Sequence, residues 1–260
     1  MRPGCFTYSD SSKLTLPQND YAGVVKTPRS TRLILRSPLS LLAALSLLLT
    51  AAPAVHAAEG GSAASLKAGD EFLAKQDYEH ALAEYDAAVN QADSPGMKSL
   101  SLGKKAEVYA AQKNYPAAKA AAEEALTVKE LAPVAKVISL RVLGECQLKG
   151  EPKDYPAAIK NLEEASALQG VDWAQPLVAL LLGDAYRFNG NSEKAIASFQ
   201  KLTDMPNANN GIKAIAFLNM GTAYQYSAKD TAKAKEAYAK AVELNPELKK
   251  TVDEHLAKLN

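Results

Sequence analysis

The chain is poor in the residues that most often carry chemistry. Its 260 residues include three histidines, two cysteines and one tryptophan. His56, His80 and His255 are too few and too widely spread for zinc-ligand spacing. There is no glycine-rich phosphate loop, no Gly-x-Ser-x-Gly elbow and no dinucleotide fingerprint. The paired acids Glu123-Glu124 and Glu163-Glu164 diverge by about 100 degrees on a helix, so they suit solvated faces better than acid/base catalysis. The sequence therefore offers no catalytic, cofactor-binding or metal-binding residue, and the chain reads as a non-enzyme. Charge of one sign is lacking too. Thirty Lys and Arg against 29 Asp and Glu leave +1, which gives no reason to expect nucleic acid. At 47% hydrophobic and 23% charged, the composition excludes collagen-like and wholly disordered classes.

Long apolar runs are missing as well. The one candidate, residues 39–52, follows Arg29, Arg32 and Arg36 and ends at Pro53. It falls short of the roughly 20 residues that span a bilayer. Val55-His56-Ala57 then supplies the small residues that a signal peptidase reads. Residues 1–57 are thus expected to be a leader and signal peptide, cleaved after Ala57. The protein would be exported to the periplasm or extracellular space with no membrane span left. No cysteine follows the apolar run to take a lipid, and with Cys5 in the leader Cys146 has no internal disulfide partner. Residues 1–28 are a long preamble for an export signal, and residues 1–21 show neither helical nor strand periodicity; translation starting near Val24 or Val25 would account for them. Beyond a short linker at 58–61, residues 62–260 form the candidate domain. Residues 58–260 hold 24 basic and 27 acidic residues, net −3.

What is present is a repeat. Gly69-x-x-Phe72, Ala106-x-x-Tyr109, Gly183-x-x-Tyr186 and Gly221-x-x-Tyr224 each set a small residue and an aromatic on one helix face. Asp77-Tyr78, Asn114-Tyr115-Pro116 and Asp154-Tyr155-Pro156 follow as helix starts. A second helix is marked by Ala81, Ala118, Ala158, Ala195 and Ala234, and seven residues on by Ala88, Ala125, Ala165, Leu202 and Ala241. Between them stand Tyr85, Leu162, Phe199 and Tyr238, with Ala122 in the second unit. Two helices joined by a tight turn pack closely only where small residues face each other, so Gly183 should accept the face carrying Ala195. No unit buries its apolar face alone, so stacking is obligatory.

In these residues the chain resembles the tetratricopeptide repeat family over about residues 62–246. The resemblance implies an all-α, right-handed superhelix of about five helix-turn-helix repeats. Residues 247–259 add a C-terminal capping helix, with Leu248, Val252, Leu256 and Leu259 as its apolar stripe. The departures are Gln147 in place of the third unit's aromatic, the absence of the family's tryptophan, and a turn lengthened at 151–154. The second-helix alanines are 37, 40, 37 and 39 residues apart, against a family period of about 34. Helices about one turn longer than usual are expected. Trp173, between the third and fourth units, should plug the joint.

The resemblance also implies a function: a protein-interaction module, scaffold or assembly subunit, that holds a protein or peptide on the concave face built by the first helices. The residue after each small position would face that groove. These are Asp70, Glu107, Glu145 and Asp184, then Thr222. A row of acids would attract a partner with a basic segment, unlike the family members that clamp a terminal carboxylate with Lys, Arg and Asn. Pairing within each helix is the alternative, through Lys104, Arg141 and Arg187, at roughly 0.2–0.5 kcal/mol per pair. Arg141 and Arg187, with Phe188 and Tyr226 as apolar anchors, complete the candidate partner-binding set. A different class of function is an enzyme or ligand-binding subunit whose site forms only within a complex. No cofactor is implied.

Overall fold

A computed structural model describes residues 61–259, so the leader, its cleavage point and the start of the linker lie outside the described residues. Among those residues there are eleven α-helices and no strand. They run α1 (Gly61–Ala74), α2 (Tyr78–Asn90), α3 (Pro95–Ala111), α4 (Tyr115–Thr127), α5 (Pro133–Lys149) and α6 (Tyr155–Ser166). Then come α7 (Gln175–Phe188), α8 (Ser192–Asp204), α9 (Asn210–Ala223), α10 (Thr231–Leu244) and α11 (Lys249–Leu256). Each odd helix packs on the even helix that follows it. The odd helices also pack on one another, so they form one continuous layer with the even helices behind.

Local chemistry explains why each second helix starts where it does. Asp77, Asn114, Asp154, Asn191 and Asp230 cap α2, α4, α6, α8 and α10, each accepting a hydrogen bond from the backbone N–H three residues on. In four of the five turns the preceding residue is left-handed: Gln76, Lys113, Gly190 and Lys229. That conformation reverses the chain within two residues. Asn191→Ala should cost about 1 kcal/mol, read as a lower denaturant midpoint with an unchanged slope.

Size complementarity then sets how closely the two helices of a unit approach. A Cβ at Gly69, Gly144 or Gly221 would come within 2.5 Å of Tyr85, Leu162 or Tyr238 respectively, and one at Gly183 would strike Phe199. The large side chains of α2, α6, α8 and α10 therefore lie flat against a bare stretch of the first helix, fully buried. The second unit has the reverse arrangement, Ala106 on α3 and Ala122 on α4, both fully buried. What Gly183 accepts is the ring of Phe199, one turn beyond Ala195, rather than Ala195 itself.

The extra turn per unit falls in the first helices. The helices α3 and α5 have 17 residues each, while the even helices have 12 to 14. A 3-10 turn at Asp172–Ala174 extends α7, and a π-helical segment at Tyr224–Ala228 extends α9. Trp173 lies on that 3-10 turn and is 55% exposed, which corrects its expected role as a plug. Val171 and Ala174 on either side of it take the buried places. The C-terminal cap is shorter than expected: Pro246–Leu248 make a 3-10 turn and α11 covers the last repeat, burying Leu248 and Val252.

Candidate functional site

The layer of odd helices carries a ladder of charges that runs from unit to unit. Asp70 on α1 accepts a hydrogen bond from the Tyr85 hydroxyl at 2.7 Å; the ring lies against Gly69, so the hydroxyl reaches past α1 to this side. Lys104 on α3 pairs with Asp70 at 3.2 Å and with Glu107 at 3.4 Å. Arg141 on α5 donates from Nη2 to Glu107 and lies 3.6 Å from Glu145. Lys149 then pairs with Glu145 at 2.8 Å. Asp184 on α7 accepts from Arg187 at 2.9 Å and from Asn219 on α9 at 3.0 Å.

Every acid of the row is thus met by a cation. Asp70, Glu107, Glu145 and Asp184 face Lys104, Arg141, Lys149 and Arg187, four charges against four. The acids do stand on successive odd helices, each of them paired with a cation. The intrahelical pairs exist, and the Lys104–Asp70 and Arg141–Glu107 bridges between helices are added to them. The bridges span 34 residues, close to one repeat, so no single-helix spacing reveals them.

Burial makes this ladder more than a surface ornament. The Arg141 side chain is 7% exposed, where α3 and α5 close on each other at Gly103. Burial pushes the Glu145 carboxyl up, but Lys149 and Arg141 outweigh it and hold it below its ordinary range. Burial likewise pulls Lys104 down, and Glu107 with Asp70 reverses the direction. At Asp184 burial wins over Arg187, and the carboxyl is raised.

Apolar groups share the face. Leu100, Leu177 and Ile215, all partly buried, stand seven residues before Glu107, Asp184 and Thr222, two turns away on the same side. Phe188 is 50% exposed; it stacks on Tyr155 at 5.6 Å and carries the Arg187 guanidinium 4.2 Å from its ring centre. Tyr226, 53% exposed, lies against His255 of α11. The structure thus places Asp70, Glu107, Arg141 and Glu145 in one connected cluster, Asp184 with Arg187 and Phe188 in a second, and Tyr226 beside the cap. Sequence reasoning missed Lys149, Asn219 and the row of Leu100, Leu177 and Ile215; the seven-residue spacing is the signal that marks the last of these.

Cys146 is buried and burial pushes its thiol up to about 12, far from a reactive thiolate. Among the described residues, no group of three or more His, Cys, Asp or Glu could hold a metal ion, and no helix is long and apolar enough to cross a membrane.

Comparison with known proteins agrees with the geometry. Residues 178–209 and 215–247 each match the tetratricopeptide repeat. No curated protein matches the sequence. Among solved structures, YrrB, described as a TPR protein with an unusual peptide-binding site, is 23% identical with a TM-score of 0.52, covering 75% of this chain and 91% of that one. MamA from Desulfovibrio magneticus RS-1 is 20% identical with a TM-score of 0.53, covering 72% and 96%. A chain of the APC/C hetero-tetramer Cut9-Hcn1 is 19% identical with a TM-score of 0.60, covering 76% of this chain and 36% of that one. The fold is therefore an all-α superhelix of tetratricopeptide type, and the repeat matches support that family for the chain.

Proposed function

We propose that this protein is a non-catalytic interaction subunit of the cell envelope or extracellular space, holding a peptide or protein segment against the layer of odd helices. The observation that carries the reading is that this layer is pre-organised. Its polar groups are fixed by bridges from helix to helix, so little order has to be created on binding. Phe188 and Tyr226, both half exposed, supply the large anchors that dominate such interfaces. Because the charges balance, selectivity comes from matched polar contacts and these anchors rather than from a net field. A basic segment would be read locally, by Asp70, whose side chain is 47% exposed.

Phe188→Ala should weaken partner binding by at least about tenfold, as loss of an interface anchor does. Lys201→Ala on α8 should leave binding unchanged. Equal retention of the partner by both variants would count against the odd-helix face. The proposed export is tested separately: N-terminal sequencing of the mature protein should read from Ala58, and a retained segment 29–57 on membrane-bound protein would mean an anchor.

A further inference from the structure

The C-terminal cap is attached through an unusual joint. His255, near the end of α11, stacks on Tyr238 of α10 at 5.4 Å between ring centres and meets the edge of Tyr226 at 6.1 Å. Its backbone oxygen accepts from Gln225 Nε2 at 3.1 Å, and its Nδ1 lies 3.4 Å from the Tyr226 hydroxyl. Gln225 is itself buried and accepts from the Tyr238 hydroxyl at 2.6 Å. Gln225 and Tyr226 both belong to the π-helical segment, and such segments recur at functional positions. Besides this cluster, α11 is held by Val252 and the partly buried Leu256, with Leu248 just before the helix and Leu259 just after it.

We propose that His255 is a proton-sensitive latch: its neutral ring holds α11 on the last repeat, and acidification loosens the cap and frees Tyr226. The groups around the ring are Arg187 from α7, Gln225 and Tyr226 from the π-helical segment, Tyr238 from α10, and Glu254 and Lys258 from α11 itself. Stacking on Tyr238, the end of the helix and Glu254 favour the cation. Burial opposes it most strongly, Lys258 and Arg187 add to the opposition, and the imidazole is held below its ordinary 6.5. The undocked ring takes up a proton more readily than the docked one, so docking is at full strength above about pH 6.5. It declines as the pH falls from there toward the depressed value.

His80 is the internal contrast. Its Nδ1 lies 2.8 Å from Asp77 Oδ2, and that hydrogen bond moves its pKa upward.

The test follows the His80 and His255 ring resonances of the full chain by NMR, together with amide exchange of α11 corrected for intrinsic rates. His255 should titrate below 6.5 and below His80, and α11 should lose at least about threefold in protection between about pH 7.5 and pH 5. His255→Phe and His255→Gln should abolish that pH dependence. The proposal is overturned if His255 titrates at or above 6.5, if wild-type protection is flat, or if the two neutral variants lose protection with acid as the wild type does.

Discussion

Gly183→Arg should lower stability by more than 3 kcal/mol, since it both overpacks the joint and buries an unpaired charge. A gentler change is more informative. Gly183→Ala should gain about 1 kcal/mol from helix propensity and lose about 1–3 kcal/mol because its methyl meets the buried ring of Phe199. The net effect is destabilising. Phe199→Ala alone should cost about 3–5 kcal/mol, the usual penalty for emptying a core aromatic site. With Phe199 already cut to alanine, Gly183→Ala should turn stabilising, because the second unit folds with the same pair in Ala106 and Ala122. Denaturant melts of the four proteins in this cycle should give a coupling of about 2 kcal/mol. Additive effects would show that the two side chains do not define the close approach of α7 and α8.

The second large effect is expected at Arg141. Arg141→Met removes the cation between Glu107 and Glu145, whose side chains are 18% and 17% exposed. Removing one partner of a buried ion pair costs about 3–5 kcal/mol. Lys119→Met, which breaks the exposed pair with Glu123, should cost under about 1 kcal/mol. The pH dependence should also weaken. In the wild type Glu145 is held below its ordinary 4.5, so its contribution is full above that pH and is lost as the pH falls. In Arg141→Met, Glu145 keeps Lys149 but loses one of the cations that lower it, so less of its contribution is left to lose and the deficit should shrink as the pH falls below about 4.5. A deficit constant with pH would mean that the arginine acts through packing alone.

Much of this fold was legible because it is written in short-range spacing. The Asp and Asn caps, the second-helix alanines and the large residues between them recur within single helices, and α2, α4 and α6 begin at Tyr78, Tyr115 and Tyr155, where the cap motifs place them. The ladder was legible only in part. Its acids follow the small residues directly, but Lys104 and Arg141 find their second partners one repeat away, a distance at which sequence periodicity gives no side-chain contact. Trp173 misled because composition favours burying tryptophan, while the 3-10 turn buries its neighbours Val171 and Ala174. The π-helical segment left no trace, since Tyr224–Ala228 has the composition of an ordinary helix end.

Everything proposed here about function depends on partners binding the layer of odd helices. The most direct measurement of that binding places a photo-crosslinking phenylalanine analogue at Phe188 on α7 or at Lys201 on α8, both exposed, in the protein expressed in its native host. The account predicts a discrete protein adduct from position 188 and none from position 201. Adducts from position 201 with none from position 188 would contradict it.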